Sequence, residues 1–134
     1  MSLLLDPGLP RYALGNTDMD DTHRAFIDLL NQIADSDKQE FPGLFQKLIE
    51  HTEQHFEMEE QLMSQSAFPA WREHEADHQR VLGDLHRFGQ RISAGSTMMG
   101  RAYIREQLPQ WFDLHAATMD SALAAHLNAI RQTA

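Results

Sequence analysis

The sequence predicts an all-α protein, an up-down-up-down four-helix bundle behind an N-terminal arm. Three observations carry this expectation. Apolar residues recur every three or four positions through four long stretches, the period of a single helical face. The breaks between those stretches are short and rich in turn formers, so consecutive helices must be antiparallel neighbours. No segment of the 134 residues alternates in the manner of a strand, and there is no repeat or low-complexity run.

Residues 1–17 form the arm, interrupted by Pro7, Gly8, Pro10 and Gly15. Residues 18–131 form the bundle, and residues 1–134 make one domain. The first helix begins near Asp18 and shows Met19, His23, Phe26, Ile27, Leu30 and Ile33 on one face. Thr17 or Asp18 can cap it, and Asp20 and Asp21 suit its positive end. After Asp35-Ser36-Asp37, the second helix carries Phe41, Leu44, Phe45, Leu48, Thr52, His55, Glu59, Leu62 and Met63. Pro42 falls in its first turn, where a missing N–H costs little. Ser66 to Pro69 leads to a third helix marked by Trp71, His74, His78, Val81, Leu82, Leu85 and Ile92. Gly95 ends that helix. The fourth runs from near Thr97 to about Arg131, with Ile104, Leu108, Trp111, Phe112, His115, Met119, Ala122, Leu123, His126 and Ile130 on its buried face. Pro109 lies inside it and should kink it or split off its first part.

Composition narrows the function. A formal net charge of −9 argues against nucleic acid or an anionic membrane surface as partner. The absence of cysteine excludes disulfides, thiolate metal sites and thiol catalysis, and it fits a cytoplasmic location. Leu3-Leu4-Leu5 is too short for a signal peptide and lacks a basic start. No stretch approaches the roughly 18 apolar residues that span a bilayer. Eight histidines are many for so small a chain, and their positions are the strongest clue to function.

Polar residues interrupt every apolar stripe. The first helix has His23, the second His55 and Glu59, the third His74 and His78, the fourth His115 and Asp120. The two pairs spaced by four residues each share a face, one turn apart. His115 and Asp120, five apart, are offset by roughly 140° on a regular helix and would straddle a site wide enough for two metals. In an up-down bundle all seven fall near one level. A lone buried histidine is usually a hydrogen-bonded core residue. A lone buried carboxylate is costly. Seven such groups converging need compensation, and a pair of divalent cations supplies it. Imidazole suits iron, zinc or copper, and carboxylates can bridge two metals.

In order, Gly15, Met19-Asp20, His23, Asn31, His55-Phe56, Glu59-Glu60, Leu62-Met63, Phe68-Pro69, His74-x-x-x-His78, Trp111, His115 and Asp120 resemble the hemerythrin family. Within that family they are most similar to the single-domain bacteriohemerythrins, and the resemblance spans about Tyr12 to Leu127. It implies two iron ions bridged by an oxo or hydroxo group. His74, His78 and His115 would hold one iron, and His23 and His55 the other, with Glu59 and Asp120 bridging. The second iron keeps an open position, where O2 or another small diatomic ligand binds reversibly. Phe56, Trp111, Phe112, Ala116 and Met119 are the expected walls of the O2 pocket, although for Met119 ordinary packing is the simpler role.

Of the remaining histidines, His51 stands one turn before His55, His86 should be solvated, and His126 falls on the buried stripe, where it can hydrogen-bond or relay protons. Asp20 could orient His23, but capping explains it better. Glu57, Glu60 and Glu73 read as solvated.

Reversible O2 binding, for carriage, storage or sensing, is the first expectation and is not enzymatic. A di-iron peroxidase or oxidase acting on peroxide or nitric oxide is the alternative, and the same ligands serve both. A ferritin-like carboxylate enzyme is disfavoured, because it wants two Glu-x-x-His motifs and only Glu75-x-x-His78 is present. Two pocket positions depart from the family pattern. Phe112 replaces the usual Leu, and Ala116 replaces the usual Ile. The smaller Ala116 predicts altered O2 access and faster autoxidation. The lifetime of the oxygenated protein should therefore lengthen in Ala116→Ile, and equal lifetimes would remove the idea.

Overall fold

The computed structural model describes residues 3–133, so the first two positions of the expected arm lie outside the described residues. The chain is all-α. Helix α1 spans Thr17–Ala34, α2 Phe41–Gln65, α3 Trp71–Ser93, and a fourth helical stretch, α4, covers residues 98–133. α1 packs on α2, α2 on α3, and α4 closes the bundle against both α1 and α3. The expected four-helix architecture is present.

The helix ends follow local chemistry. Asn16 caps α1 through its side chain, which accepts from Met19 N at 3.0 Å, one residue before the caps the sequence suggested. Asp20 reaches back to accept from the backbone N–H groups of Leu14 and Gly15, at 2.8 and 3.2 Å. It fixes the entry to α1, as its capping role requires. α2 and α3 both end in Schellman turns. In the first, Phe68 N donates to Met63 O at 3.0 Å, with Ala67 in the left-handed region at φ +53°. In the second, Ser96 N donates to Arg91 O at 2.9 Å around Gly95 at φ +99°.

The arm is tied down. The Asn31 carboxamide accepts from Leu4 N and Leu5 N at 2.8 and 3.2 Å and donates to Leu5 O at 2.8 Å. A short 3-10 turn, Pro10–Tyr12, then buries the Tyr12 ring against Phe112, with centroids 5.5 Å apart, while its hydroxyl donates to Asp113.

α4 differs from expectation. It is not split at Pro109. Instead two turns widen to π geometry, Tyr103–Gln107 and Ala116–Asp120, flanking the α-helical segment Leu108–His115. Leu108 N donates to Tyr103 O, five residues back. The reason lies in Pro109, which has no N–H for the carbonyl of Arg105 and would press its ring on it. The widened turn just upstream accommodates that defect. Three residues placed on buried faces by period alone also lie outside: Trp71 is 44% and Ile130 41% exposed, and Ala122 is exposed beside the buried Leu123.

Two apolar clusters fill the interior. The larger gathers Phe26, Leu30, Phe45, Leu48, Phe56, Val81, Leu85 and Phe112 among others. The smaller holds Met19, Met63, Phe68, Leu123 and Ala124. On every helix at least one of the polar positions read from the sequence falls between members of these two clusters. His23 lies between Met19 and Phe26, Glu59 between Phe56 and Met63, His74 and His78 between Phe68 and Val81, and Asp120 between Ala116 and Leu123. A polar layer therefore divides one apolar core.

Candidate metal centre

His23, Glu59, His78 and Asp120 are fully buried, and His55, His74 and His115 are nearly so. The structure brings all seven together. Their ligand-capable atoms form two groups that share Glu59: Glu59 with His74, His78, His115 and Asp120, and Glu59 with His23 and His55.

The carboxylates join the two groups atom by atom. Glu59 Oε2 is 2.6 Å from His55 Nε2 and 3.3 Å from His23 Nε2. Its other oxygen, Oε1, is 3.2 Å from both His74 Nε2 and His78 Nε2. Asp120 divides in the same way. Oδ2 is 3.0 Å from His23 Nε2, while Oδ1 is 3.0 Å from His74 Nε2 and 3.1 Å from His115 Nε2. Each carboxylate thus offers one oxygen to a two-histidine half and one to a three-histidine half.

Asp120 reaches this position because of the second π turn. On a regular helix it would point away from His115. With Ser121 N donating to Ala116 O, five residues back, the turn is wide enough to bring residues five apart onto one face. The sequence expectation of two side chains straddling the site gives way to two side chains aimed at the same place.

The donor set fits a pair of cations. Asp120 Oδ1 and Oδ2, His78 Nε2 and His115 Nε2 are buried without an aligned hydrogen-bond partner, although each has a neighbour near 3 Å. Buried polar atoms seldom go unsatisfied. In each of the two groups the ligand-capable atoms lie within 4.8 Å of one another, close enough to hold a metal ion between them. Five imidazoles and two carboxylates suit borderline divalent metals such as iron.

Aromatic rings enclose the layer. Phe56 lies flat on His78, centroids 3.8 Å apart and planes 1° apart. Trp111 lies over His115 at 4.6 Å and 22°. Phe112 meets His23 edge-on at 5.4 Å and stacks on Phe26 at 5.0 Å. Of the expected pocket walls, Phe56, Phe112 and Ala116 are buried, Trp111 and Met119 only partly. Trp111 attends the three-histidine half. Phe26, read from the sequence as plain core, stands 6.2 Å edge-on to His55 and belongs to the two-histidine half.

Other polar residues take different places. His51 stacks at 6.4 Å on Phe26, and its ring centroid is 6.1 Å from that of His55. Its pKa is lowered, first by burial. His86 is exposed, and Nε2 of half-buried His126 donates to Ser66 O at 2.9 Å, pinning the α2–α3 connector. Glu57 and Glu73 are exposed as expected, but half-buried Glu60 places Oε2 3.9 Å from His78 Nδ1. Asp77, which the sequence did not single out, contacts both Trp111 and His115. Partial burial alone would raise its pKa, but these bonds lower it. Its only sequence signal is adjacency to His78.

Electrostatics follow the geometry. Burial favours neutral His23 and His74, yet contacts with Asp120 and Glu59 raise their pKa values to about 10 and about 9. His78, dominated by burial, is lowered. Burial opposes ionisation of Glu59, but the charge of His55 and bonds to His23, His55 and His74 hold it well below its ordinary value. Asp120 is lowered against burial and the repulsion of Glu59, by contacts with His115, His23 and His74.

A family profile described as the Hemerythrin HHE cation binding domain matches residues 14–127. A bacteriohemerythrin of Ralstonia nicotianae is 34% identical over 114 residues, covering 85% of this chain and 82% of the relative. One from Aquifex aeolicus is 30% identical over 122 residues, 85% of this chain and 91% of that one. Among solved structures, a leucine-to-alanine mutant of hemerythrin superposes with TM-score 0.83 at 20% identity, covering 94% of this chain and 98% of that chain. At that identity the likeness is one of fold.

The charge pattern sets a pH dependence for chelator-treated protein. Stabilisation from His23 and His74 is complete below 6.5 and is lost as pH rises through about 9 and 10. The carboxylate contribution is present above the ordinary values of 4.5 and 3.8 and is lost as pH falls below them. His78 and His51, whose pKa values are lowered, act the other way and cost stability below about 6.5, so thermal unfolding should give the highest Tm near pH 6.5 and a lower one at about pH 9.5. A flat Tm between those limits contradicts the assignment.

Proposed function

This chain belongs to the hemerythrin family, and from that premise we propose that it holds two iron ions and binds O2 reversibly, as a carrier, store or sensor rather than an enzyme. The observation that carries the reading is the split of Glu59 and Asp120, each with one oxygen toward either half of an unequal histidine set. His74, His78 and His115 would hold one ion, His23 and His55 the other, with Glu59 and Asp120 bridging.

The iron pair, when bound, supplies the two electrons that O2 takes up and returns on release. The protein's own part is geometric and dielectric. Three imidazoles against two leave the His23–His55 side with one protein donor fewer, which is where a small ligand fits. Phe26, Phe56 and Phe112 surround that side, with ring centroids 5.0 to 6.2 Å from His23, His55 or each other. None of the three carries an exchangeable proton, so the walls exclude water and donate nothing to a reduced ligand. Such a lining favours release of O2 over release of peroxide. Phe112 also occupies core volume near Ala116 and offsets part of the space that the smaller side chain leaves. The Tyr12 ring packs behind Phe112, so the arm backs this wall of the pocket.

The direct test is anaerobic reconstitution with ferrous iron, followed by visible spectra through cycles of air and argon. Reversible binding predicts an absorption that appears with air and vanishes without it over many cycles. A lasting ferric spectrum that forms at once, with steady consumption of added reductant, would favour the peroxidase or oxidase alternative.

A further inference from the structure

Asp77 stands on α3 immediately before His78, yet its carboxylate works on residues of α4. We propose that Asp77 is the positioning residue of the three-histidine half. It locks His115 in the tautomer that presents the Nε2 lone pair to the site, and it clamps Trp111 over that imidazole.

A single oxygen, Asp77 Oδ2, accepts two bonds, from Trp111 Nε1 at 2.9 Å and from His115 Nδ1 at 2.8 Å. An indole N–H can only donate, and a carboxylate can only accept. His115 Nδ1 must therefore carry its proton. In a neutral imidazole the lone pair then sits on Nε2, which is buried, has no aligned hydrogen-bond partner and lies 3.1 Å from Asp120 Oδ1. Trp111 precedes His115 by one turn, so the same carboxylate that orients the imidazole also seats the indole above it at 4.6 Å.

The other Asp77 oxygen faces outward. Oδ1 accepts from Arg80 at 3.1 Å, one turn further along α3. Asp77 is therefore held from both sides and is 19% exposed. The other ligand histidines lack such an arrangement. Nδ1 of His23, His55, His74 and His78 is buried without a hydrogen-bond partner. Among the described residues of the cluster, His115 has the one outer nitrogen fixed by a carboxylate. Its tautomer is thus set by the protein before any cation arrives. An orienting carboxylate behind a metal-binding imidazole both aims the ring and strengthens it as a donor.

This inference rests on reading His115 as a ligand, and its test separates the two ideas. Tautomers of full-length, metal-free protein are read from the imidazole 15N shifts, and cobalt(II) binding is titrated on the same samples. The parent chain should show His115 protonated at Nδ1. Asp77→Ala should yield a mixture or the Nε2–H form, shift the Trp111 emission in a Trp71→Phe background, and weaken one of two cobalt ions by about 10- to 100-fold. Asp77→Asn keeps an acceptor oxygen without the charge. It should retain the tautomer and fall between parent and Ala in affinity, and it serves as the working variant if Asp77→Ala does not fold. Parent-like tautomer and cobalt affinities in Asp77→Ala, or loss of the Nδ1–H form in Asp77→Asn, would overturn the role. A parent chain that binds no cobalt would defeat the metal reading, while the tautomer measurement would still decide the function of Asp77.

Discussion

Two carboxylates with no access to water govern this structure. Glu59 and Asp120 are fully buried between two apolar clusters, and an uncompensated charge there would cost several kcal/mol at least. Five imidazoles answer them in the protein alone, which is why His23 and His74 are driven toward the protonated form. A cation pair would replace those protons at the same points. Metal binding in such a cluster competes with protonation and is coupled to the stability of the fold.

The rest of the bundle aims these groups. Regular helices deliver the i, i+4 pairs of α2 and α3 without help. α4 needs a widened turn to turn Asp120 back toward His115, and a second one upstream to absorb Pro109. The rings serve the same end: Phe56, Trp111, Phe112 and Phe26 each lie against a histidine, so that the imidazoles are held by packing as well as by their polar neighbours.

Much of this was legible in the sequence because the helical period is strong and the polar interruptions stand out against it. His23, His55, Glu59, His74 and His78 could be placed from spacing alone, and the level they share follows from short connectors. The π turns were not legible, since one widened turn leaves an apolar stripe almost intact; the five-residue gap from His115 to Asp120 and the embedded Pro109 were their only traces. Trp71 and Ile130 were misplaced because both sit at helix ends, where a stripe runs past the core. Asp77 was hidden for another reason. It is partly exposed on its own helix, and its partners Trp111 and His115 lie 34 and 38 residues away. Nothing local marks it apart from its neighbour His78. His126 fell on the right face, but its bond to Ser66 O ties down a connector rather than serving the centre.

The central claim is that seven side chains from four helices wrap a pair of cations. Anomalous diffraction at the iron edge, from crystals of the iron-loaded protein, tests it most directly. The account predicts two peaks about 3.5 to 4 Å apart, lying between Glu59 and Asp120 and bounded by His23 and His55 on one side and His74, His78 and His115 on the other. A single peak, or iron confined to the acidic surface while the buried cluster keeps its direct histidine–carboxylate contacts, would contradict it.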